Sequence, residues 1–594
     1  MSELDQPAFL GVESSLKSKK WRLRSTDDRL SLTLSQRLGI PEIVGRVLAG
    51  RDVPAEEAER YLQPTMRDLL PDPSSFKDMD KGAERIVAAI NNNEKIAVFG
   101  DYDVDGATSS GLLKRFFDLI GIPLLIYIPD RLKEGYGPNS PAFEHLKQQG
   151  IDLVITVDCG IVSFDVLSHA KSIGLDVIVV DHHQAETRLP EAVAVINPKR
   201  HDESQEYEYL AAVGVSFILL VAINRLLRAN NWYGDNTPPN LMQLLDLVAL
   251  GTVCDVVPLK GLNRAFVAQG LKVMAQRRNP GLVALGDVSG LDEAPGTYHL
   301  GYVLGPRVNA GGRVGKPEYG ARLLSSTNPE ECGELARFLD ENNHERKEIE
   351  AQVTEEAMAQ AERVCKSDPA VLVVAGEGWH PGVIGIVASR LKETYQRPAV
   401  VVGLNGELGK GSGRSVTGVN LGAAIGAARH KELIIAGGGH AMAAGLTIDK
   451  SKLAEFSEFL NDRLKSDVTE ATRTASLGFD GALGVAGATV ELIEQLDMAG
   501  PYGAGNPEPR FVINNARIVK ASIVGENHVR VILTGAGNQG RLTGICFKSL
   551  ETPLGDSLIS HQGGTFHIAG HLRKNNWRGQ SSAQILIEDA FRIN

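Results

Sequence analysis

The sequence predicts two α/β lobes joined by a long helix, with a small β-barrel as the C-terminal section. Three observations carry that expectation. Short, β-branched apolar runs recur from Ala83 onward at about 25–30 residues, which leaves room for a helix between them as βαβ units require. A polar, Glu-rich stretch from Asn328 to Ser367 has no proline or glycine after Gly333. Beyond Ser476 the pattern shortens to alternating apolar and polar residues between turn signals, the mark of a small all-β domain.

In chain order, residues 1–80 read as a lead-in of short helical pieces, because Leu38, Ile43, Val44 and Val47 recur at helical spacing and Pro71-Asp72-Pro73-Ser74-Ser75 supplies a turn. Residues 81–325 form the first lobe. Its strands are Ile96 to Phe99, Leu124 to Ile128, Leu153 to Val157 and Asp176 to Val180. Continuous apolar runs of this length suit a parallel sheet covered on both faces. A more helical stretch, Ala211 to Leu282, follows. Residues 326–366 are one or two linking helices. Residues 367–475 form a glycine-rich second lobe with strands at Val371 to Val374, Ala399 to Val402 and Leu433 to Ile435. Residues 476–594 form the barrel, with strands at Arg510 to Ile513, Ala516 to Ile523, His528 to Leu533, Thr543 to Phe547, Thr565 to Leu572 and Gln584 to Ile587.

Composition narrows the functional classes. With 43% hydrophobic and 23% charged residues, the chain has the apolar content to fold, which excludes a disordered polymer. Sixty-two basic against 73 acidic residues give a net charge of −11, which by itself does not suggest a nucleic-acid binder. The barrel section carries ten of each, however, so all the acidic excess lies upstream, where carboxylates can hold cations that reverse the local field. The five cysteines are scattered with no CxxC pair, which argues against a disulfide framework and a cysteine–zinc module and fits a reducing compartment. The first residues lack the pattern of a secretory signal, and no run approaches the roughly 18 uninterrupted apolar residues of a membrane span. The expectation is a soluble, cytoplasmic protein with no membrane partner.

Acidic residues fall at strand ends. The first strand runs into Asp101-Tyr102-Asp103-Val104-Asp105-Gly106, the third ends at Asp158-Cys159-Gly160, and the fourth ends at Asp181-His182-His183. In an open parallel sheet the functional crevice lies beyond the carboxyl ends of the strands, so these residues share one rim. Asp255 follows a long apolar helix. Clustered carboxylates repel one another and hold protons unless cations compensate. Oxygen ligands alone suit Mg²⁺ or Ca²⁺, and an added imidazole favours Mn²⁺. If the first segment is extended, Asp101, Asp103 and Asp105 share a face. Asp158 and Asp255 are then candidate bridges between two ions, and His182 is a terminal ligand. The DxDxDG start is not a calcium loop, since its twelfth position is Leu112 rather than Glu.

These motifs together (DYDVDG, VDCG, VVDHH and GTVCDVVPL) resemble the DHH-superfamily phosphoesterases, in particular their single-strand-specific exonucleases, over nearly the whole chain. The resemblance implies a DHH lobe, a DHHA1 lobe and an oligonucleotide-binding (OB) barrel. It implies Asp103, Asp105, Asp158, His182 and Asp255 as ligands of two divalent ions, Mn²⁺ or Mg²⁺. Asp101 becomes a ligand or near neighbour, Asp181 an orienting group, and His183 the residue facing the scissile phosphate. Some relatives carry a histidine four residues before the first ligand aspartate; Phe99 stands there here, leaving Asp101 as the substitute. The implied activity is two-metal hydrolysis of single-stranded DNA from the 5′ end to mononucleotides, in repair and recombination, with single-strand-binding protein and a repair helicase as partners. The alternatives are a DHH phosphatase or oligoribonuclease acting on short oligonucleotides, and a non-catalytic single-strand-binding scaffold. A chain with its own two lobes and barrel needs no second copy, so a monomer is expected.

Residues suited to gripping a strand fall in six places. Arg131 and Tyr136 follow the second strand on the same rim, offering a phosphate ligand and a stacking ring. In Gly305-Pro306-Arg307-Val308-Asn309-Ala310-Gly311-Gly312-Arg313, glycine amides are expected to be open, beside Asn309 and Arg313. His380 precedes a helix whose N-terminus suits phosphate. Ser412 and Arg414 lie in a glycine cluster that the resemblance makes a 5′-phosphate pocket, and His440 ends another. Arg573, Lys574 and Trp577 are expected on a turn of the barrel.

Overall fold

The computed structural model describes residues 6–130, 133–135, 137–577 and 580–593, and the chain divides into two compact units. The first comprises residues 1–308, 318–336 and 476–594; the second comprises 309–317 and 337–475.

The first unit is organised by a five-stranded parallel sheet in the order Leu124–Tyr127, Ile96–Gly100, Leu153–Val157, Asp176–Val180, Ala194–Ile196. The strands Ile96–Gly100 and Leu153–Val157 are wholly buried, as their continuous apolar sequence demands. The fifth strand escaped the sequence reading because three residues carry too little pattern. Helices cover the sheet. One of them, Ala212–Ala229, has 18 residues at mean hydropathy 1.7, although Asn224, Arg225 and Arg228 interrupt its apolar run. Its most apolar window is 72% buried inside the protein, so its apolarity serves the core.

The C-terminal section is a closed barrel. Six strands run in the order Gly481–Leu483, Phe511–Val524, His528–Thr534, Leu542–Cys546, Gln580–Ile593, Thr565–Trp577, and Phe511–Val524 closes onto Thr565–Trp577. The two segments read as separate, Arg510 to Ile513 and Ala516 to Ile523, are one long strand. It stays continuous by absorbing register shifts at Ile513/Ala516 and Ile518/Lys520, and such bulges let a strand bend around a barrel.

The lead-in is helical as expected, with helices at Asp28–Leu38 and Glu42–Ala49, but it does not stand apart. Leu34, Val44, Val47 and Leu48 share one apolar core with Ile513, Val531 and Phe566 of the barrel. A strand at Lys20–Leu23 pairs in parallel with Ser476–Phe479. Asp480, fully buried, takes ion pairs from Arg51 and Arg24 and accepts the Arg510 amide. Nearby, the buried Arg264 guanidinium donates to the carbonyls of Tyr61, Ala499 and Gly500, which ties the sheet's helical layer to both lead-in and barrel.

The second unit holds most of a single 37-residue helix, Pro329–Cys365. Its five-stranded sheet runs Ala436–His440, Ala443–Asp449, Leu408–Arg414, Ala399–Asn405, Leu372–Glu377, and only the last pair is parallel. Sequence reading missed Leu408–Arg414 and Ala443–Asp449, and took Leu433–Ile435 as a strand where the chain turns into Ala436–His440. Glycine weakens strand propensity. Here it is required by packing: a Cβ on Gly411 or Gly413 would stand 2.8 or 2.7 Å from Leu446 or Leu421.

Removing Asp480 leaves Arg51 buried without its carboxylate. Asp480→Ala should destabilise the first unit by about 3–5 kcal/mol, read as a lower thermal-unfolding midpoint of the full chain. An unchanged midpoint would show that the pair does not hold lead-in and barrel together.

Candidate metal centre and nucleic-acid-binding residues

The carboxylates converge, though by a different local structure from the extended chain expected at residues 101–105. Asp103 is the N-cap of the helix Val104–Leu119, its Oδ1 accepting the Gly106 amide at 3.1 Å. Gly106 must be glycine, because a Cβ there would collide with the Asp101 carbonyl oxygen. Asp105 sits in the first helical turn. Its two oxygens accept the amides of Ala212 and Val213, at 2.7 and 2.9 Å, so it also caps the helix Ala212–Ala229. Asp158 follows its strand with a φ of 61°, an uncommon left-handed conformation for a side-chain-bearing residue.

His182 joins the acids. Its Nδ1 lies 3.1 Å from the Leu210 carbonyl, which leaves Nε2 as the free lone pair. Nε2 stands 3.2 Å from Asp158 Oδ1, 3.6 Å from Asp255 Oδ2 and 3.8 Å from Asp105 Oδ2. Burial and the neighbouring His183 pull the His182 pKa down to about 3, so the imidazole is neutral and these contacts are not ion pairs. Burial, then mutual repulsion, raises the pKa of Asp105, Asp158 and Asp255 above the carboxylate range. His182 Nε2 and Asp255 Oδ2 are buried with no hydrogen-bond partner among the described residues.

This donor set fits divalent cations. Three groups have ligand atoms within 4.8 Å of one another: Asp101, Asp103 and Asp158; Asp105, His182 and Asp255; and Asp158, His182 and His183. Asp158 belongs to two of these groups, whereas Asp255 belongs to one. Phe99 cannot contribute a ligand; it is buried, stacked on Tyr127 and edge-on to Phe143.

Asp181 is equally buried and behaves oppositely. Burial raises its pKa, but the hydrogen bond and charge of His183 outweigh this and bring it down to about 2. Its oxygens accept the amides of Ile161, His182 and His183 and contact His183 Nδ1 at 2.8 Å. His183 is half-exposed; burial lowers its pKa, yet Asp181 prevails and raises it. Sequence reasoning overlooked Asn197, fully buried, whose Nδ2 donates to the His183 carbonyl at 2.9 Å. It follows the unrecognised fifth strand, so the strand-end rule that found the aspartates would have found it too.

The second unit gathers a cationic group. Arg313 donates to the Gly382 carbonyl at 2.7 Å, and the Gly382 amide donates to His380 Nδ1. Arg414 Nη1 donates to Ser412 Oγ at 3.1 Å. Burial lowers the Arg414 pKa, and the nearby Arg313 lowers it further. A Cβ on Gly385, in the first turn of the helix Ile384–Tyr395, would reach 3.0 Å from Arg414 and 3.1 Å from Ser412. His440 is exposed at its strand end, opposite Ala443, which pairs in turn with Arg414.

Two expectations are corrected. Residues Gly305–Val314 form a helix, preceded by a π-helix at His299–Leu304, so the glycine amides beside Asn309 and Arg313 are helical rather than open. Arg573 and Lys574 lie in the strand Thr565–Trp577, not on a turn, and each is paired, with Glu508 at 2.6 Å and Glu494 at 2.7 Å. Arg131, Tyr136 and the Trp577 side chain lie outside the described residues.

Comparison with known proteins defines the class. Residues 95–252 match the N-terminal domain of the DHH family, 368–466 the DHHA1 domain, and 479–589 the RecJ OB domain. The single-stranded-DNA-specific exonuclease RecJ of Salmonella typhimurium is 35% identical over 586 residues, which is 97% of this chain and 99% of that protein. The Bacillus subtilis RecJ is 34% identical over 96% of this chain and 70% of its own length. The crystal structure of RecJ in complex with Mn²⁺ from Thermus thermophilus superposes at a TM-score of 0.79 with 27% identity, covering 97% of this chain and 80% of that one. The Mg²⁺ complex from the same source gives 0.74 with 25% identity, covering 97% and 78%. The chain belongs to the RecJ family.

If these acids hold cations, metal and charge repulsion have opposite signs for stability. Without metal, Asp158→Asn removes a repulsive charge and should leave the melting temperature equal or higher. Saturating Mn²⁺, at about 100 times its dissociation constant, should stabilise the unmutated protein by roughly 2.7 kcal/mol and the variant far less. An equal Mn²⁺-induced shift in both would remove Asp158 from the ligand set.

Proposed function

We propose that the chain hydrolyses single-stranded DNA from its 5′ end to mononucleotides, in the cytoplasm, in repair and recombination. It is a metal-dependent, single-stranded-DNA-specific exonuclease. One observation carries the chemistry: Asp101, Asp103 and Asp158, and Asp105, His182 and Asp255, from four separate segments, form two groups of three whose donors lie within 4.8 Å of one another in each group. Two centres are the reading we favour, one at Asp101, Asp103 and Asp158 and the other at Asp105, His182 and Asp255. Divalent cations bound there, Mn²⁺ or Mg²⁺, would supply an acidified water and charge compensation at the phosphate.

The chain's own residues do the rest. Asp181 holds His183 through Nδ1 and favours its protonated form, leaving Nε2–H to donate to a phosphoryl oxygen. The Leu210 carbonyl orients His182 through Nδ1 and leaves Nε2 facing Asp158. Arg313, Arg414 and Ser412, beside a helix N-terminus, form an anion pocket suited to a terminal 5′ phosphate. The five free thiols suit the cytoplasm. The ligand set is complete, which disfavours a non-catalytic scaffold, and the barrel disfavours a phosphatase of short oligonucleotides. Single-strand-binding protein and a repair helicase remain the proposed protein partners, and the active form a monomer.

Strands labelled at the 5′ or the 3′ end, incubated with Mn²⁺ or Mg²⁺, test the reading against a duplex control. The 5′ label should appear first as mononucleotide, duplex should persist, and chelation should stop the reaction. Release of the 3′ label first would overturn the polarity, and digestion only of very short oligomers would favour the phosphatase. Arg414→Ala should cost roughly tenfold or more in kcat/KM on 5′-phosphorylated strands, the scale of one charge-assisted hydrogen bond, with little change on 5′-hydroxyl strands.

A further inference from the structure

A cleft of about 670 Å³ opens within the first unit, beside the metal centre. One wall is Val256, directly after Asp255, with Tyr298 and Tyr302; the barrel supplies Tyr502 and Leu572 opposite. Tyr298 and Tyr302 flank the start and middle of the π-helix His299–Leu304, a rare element often found at functional sites. Their rings stack on each other at 5.3 Å and 26°, yet remain 56% and 74% exposed. Val256 is 71% exposed and holds a φ of 60°, which is unusual for a β-branched residue.

The wall is firmly built. Cys254 Sγ contacts the Leu300 carbonyl at 3.3 Å, and a Cβ on Gly305 would collide with the same sulfur. The π-helix is therefore locked against the end of the helix that carries Asp255. Packing alone gives no reason to leave three apolar side chains in solvent at this place.

The rim chooses the occupant. Its cations, Arg573 and Lys574, are each engaged by an acid, and Asp497 adds a further carboxyl. Phosphates meet no net attraction there, whereas nucleobases meet two largely exposed rings, of which Tyr302 is the more open because Tyr298 also makes an edge contact with the His299 ring. Every base has a π-face, so an aromatic platform holds a strand without regard to sequence. We infer that Tyr298 and Tyr302, with Val256, form a stacking platform for the bases of the single strand next to the metal centre. The inference rests on the exonuclease reading and adds to it the residues that hold the strand by its bases.

Direct binding tests it apart from cleavage. The full chain, in excess chelator so that nothing is cut, is titrated into a fluorescent deoxyadenylate strand and into an abasic strand of equal length. Y298A/Y302A should weaken deoxyadenylate binding roughly tenfold or more, by the same factor at low and high salt. Binding of the abasic strand should not change, and Y298F/Y302F should bind as the unmutated protein does. Unchanged deoxyadenylate affinity in the alanine variant would overturn the platform, and so would equal losses on both strands. The exonuclease reading stands or falls separately, on whether the unmutated protein digests the deoxyadenylate strand once Mn²⁺ is restored.

Discussion

The structure depends on keeping like charges together out of water. Asp105 and Asp158 are buried and Asp255 nearly so, with Asp103 beside them. Burial and repulsion both oppose ionisation, so without cations this rim stores unfavourable energy. The fold holds the rim with backbone. Both Asp105 oxygens are occupied by the first amides of an 18-residue buried helix, and Asp103 caps the helix that starts at the next residue. Positive helix ends thus face the negative rim from two directions. Asp158, in its left-handed conformation, is another place where the surrounding fold enforces a costly arrangement at the site.

Asp181 shows that burial alone does not decide the outcome. It lies as deep as Asp158, yet its charge is favoured, because four contacts converge on its two oxygens. That network fixes the His182-His183 turn, with Asn197 holding the same turn from the far side. One histidine is left neutral with its lone pair inward, and the other, half-exposed, has its pKa raised by Asp181. Two adjacent imidazoles are therefore shifted in opposite directions by different neighbours.

Much of this was legible in the sequence because parallel strands bury both faces and end abruptly. Ile96–Gly100, Leu153–Val157 and Asp176–Val180 announce themselves as apolar runs, and the acids after them mark the rim. What was illegible follows from weak or ambiguous local signals. Glycine in Leu408–Arg414 reads as loop, although it is there to admit Leu446 and Leu421. The Gly305–Val314 helix is disguised by its glycines in the same way. The DYDVD segment alternates like a strand, yet the capping demand of Asp103 turns it into a helix. Long-range packing left no trace either: nothing local says that Leu34 and Val47 complete a core with Phe566, which lies at the other end of the chain.

The neutral barrel poses the remaining question, since a strand binder ordinarily advertises itself by charge. At the cleft the neutrality is local as well as global, because Arg573 and Lys574 face Glu508 and Glu494. Ion pairs to phosphates are fixed in position and must be broken before a strand can advance. Stacking energies are similar from base to base, so a strand held on rings meets nearly the same energy after moving by one nucleotide. If the tyrosines hold the strand as inferred, exposed rings would let it shift by a nucleotide where free arginines would pin its phosphates. On that argument the charge balance along the cleft belongs to the function.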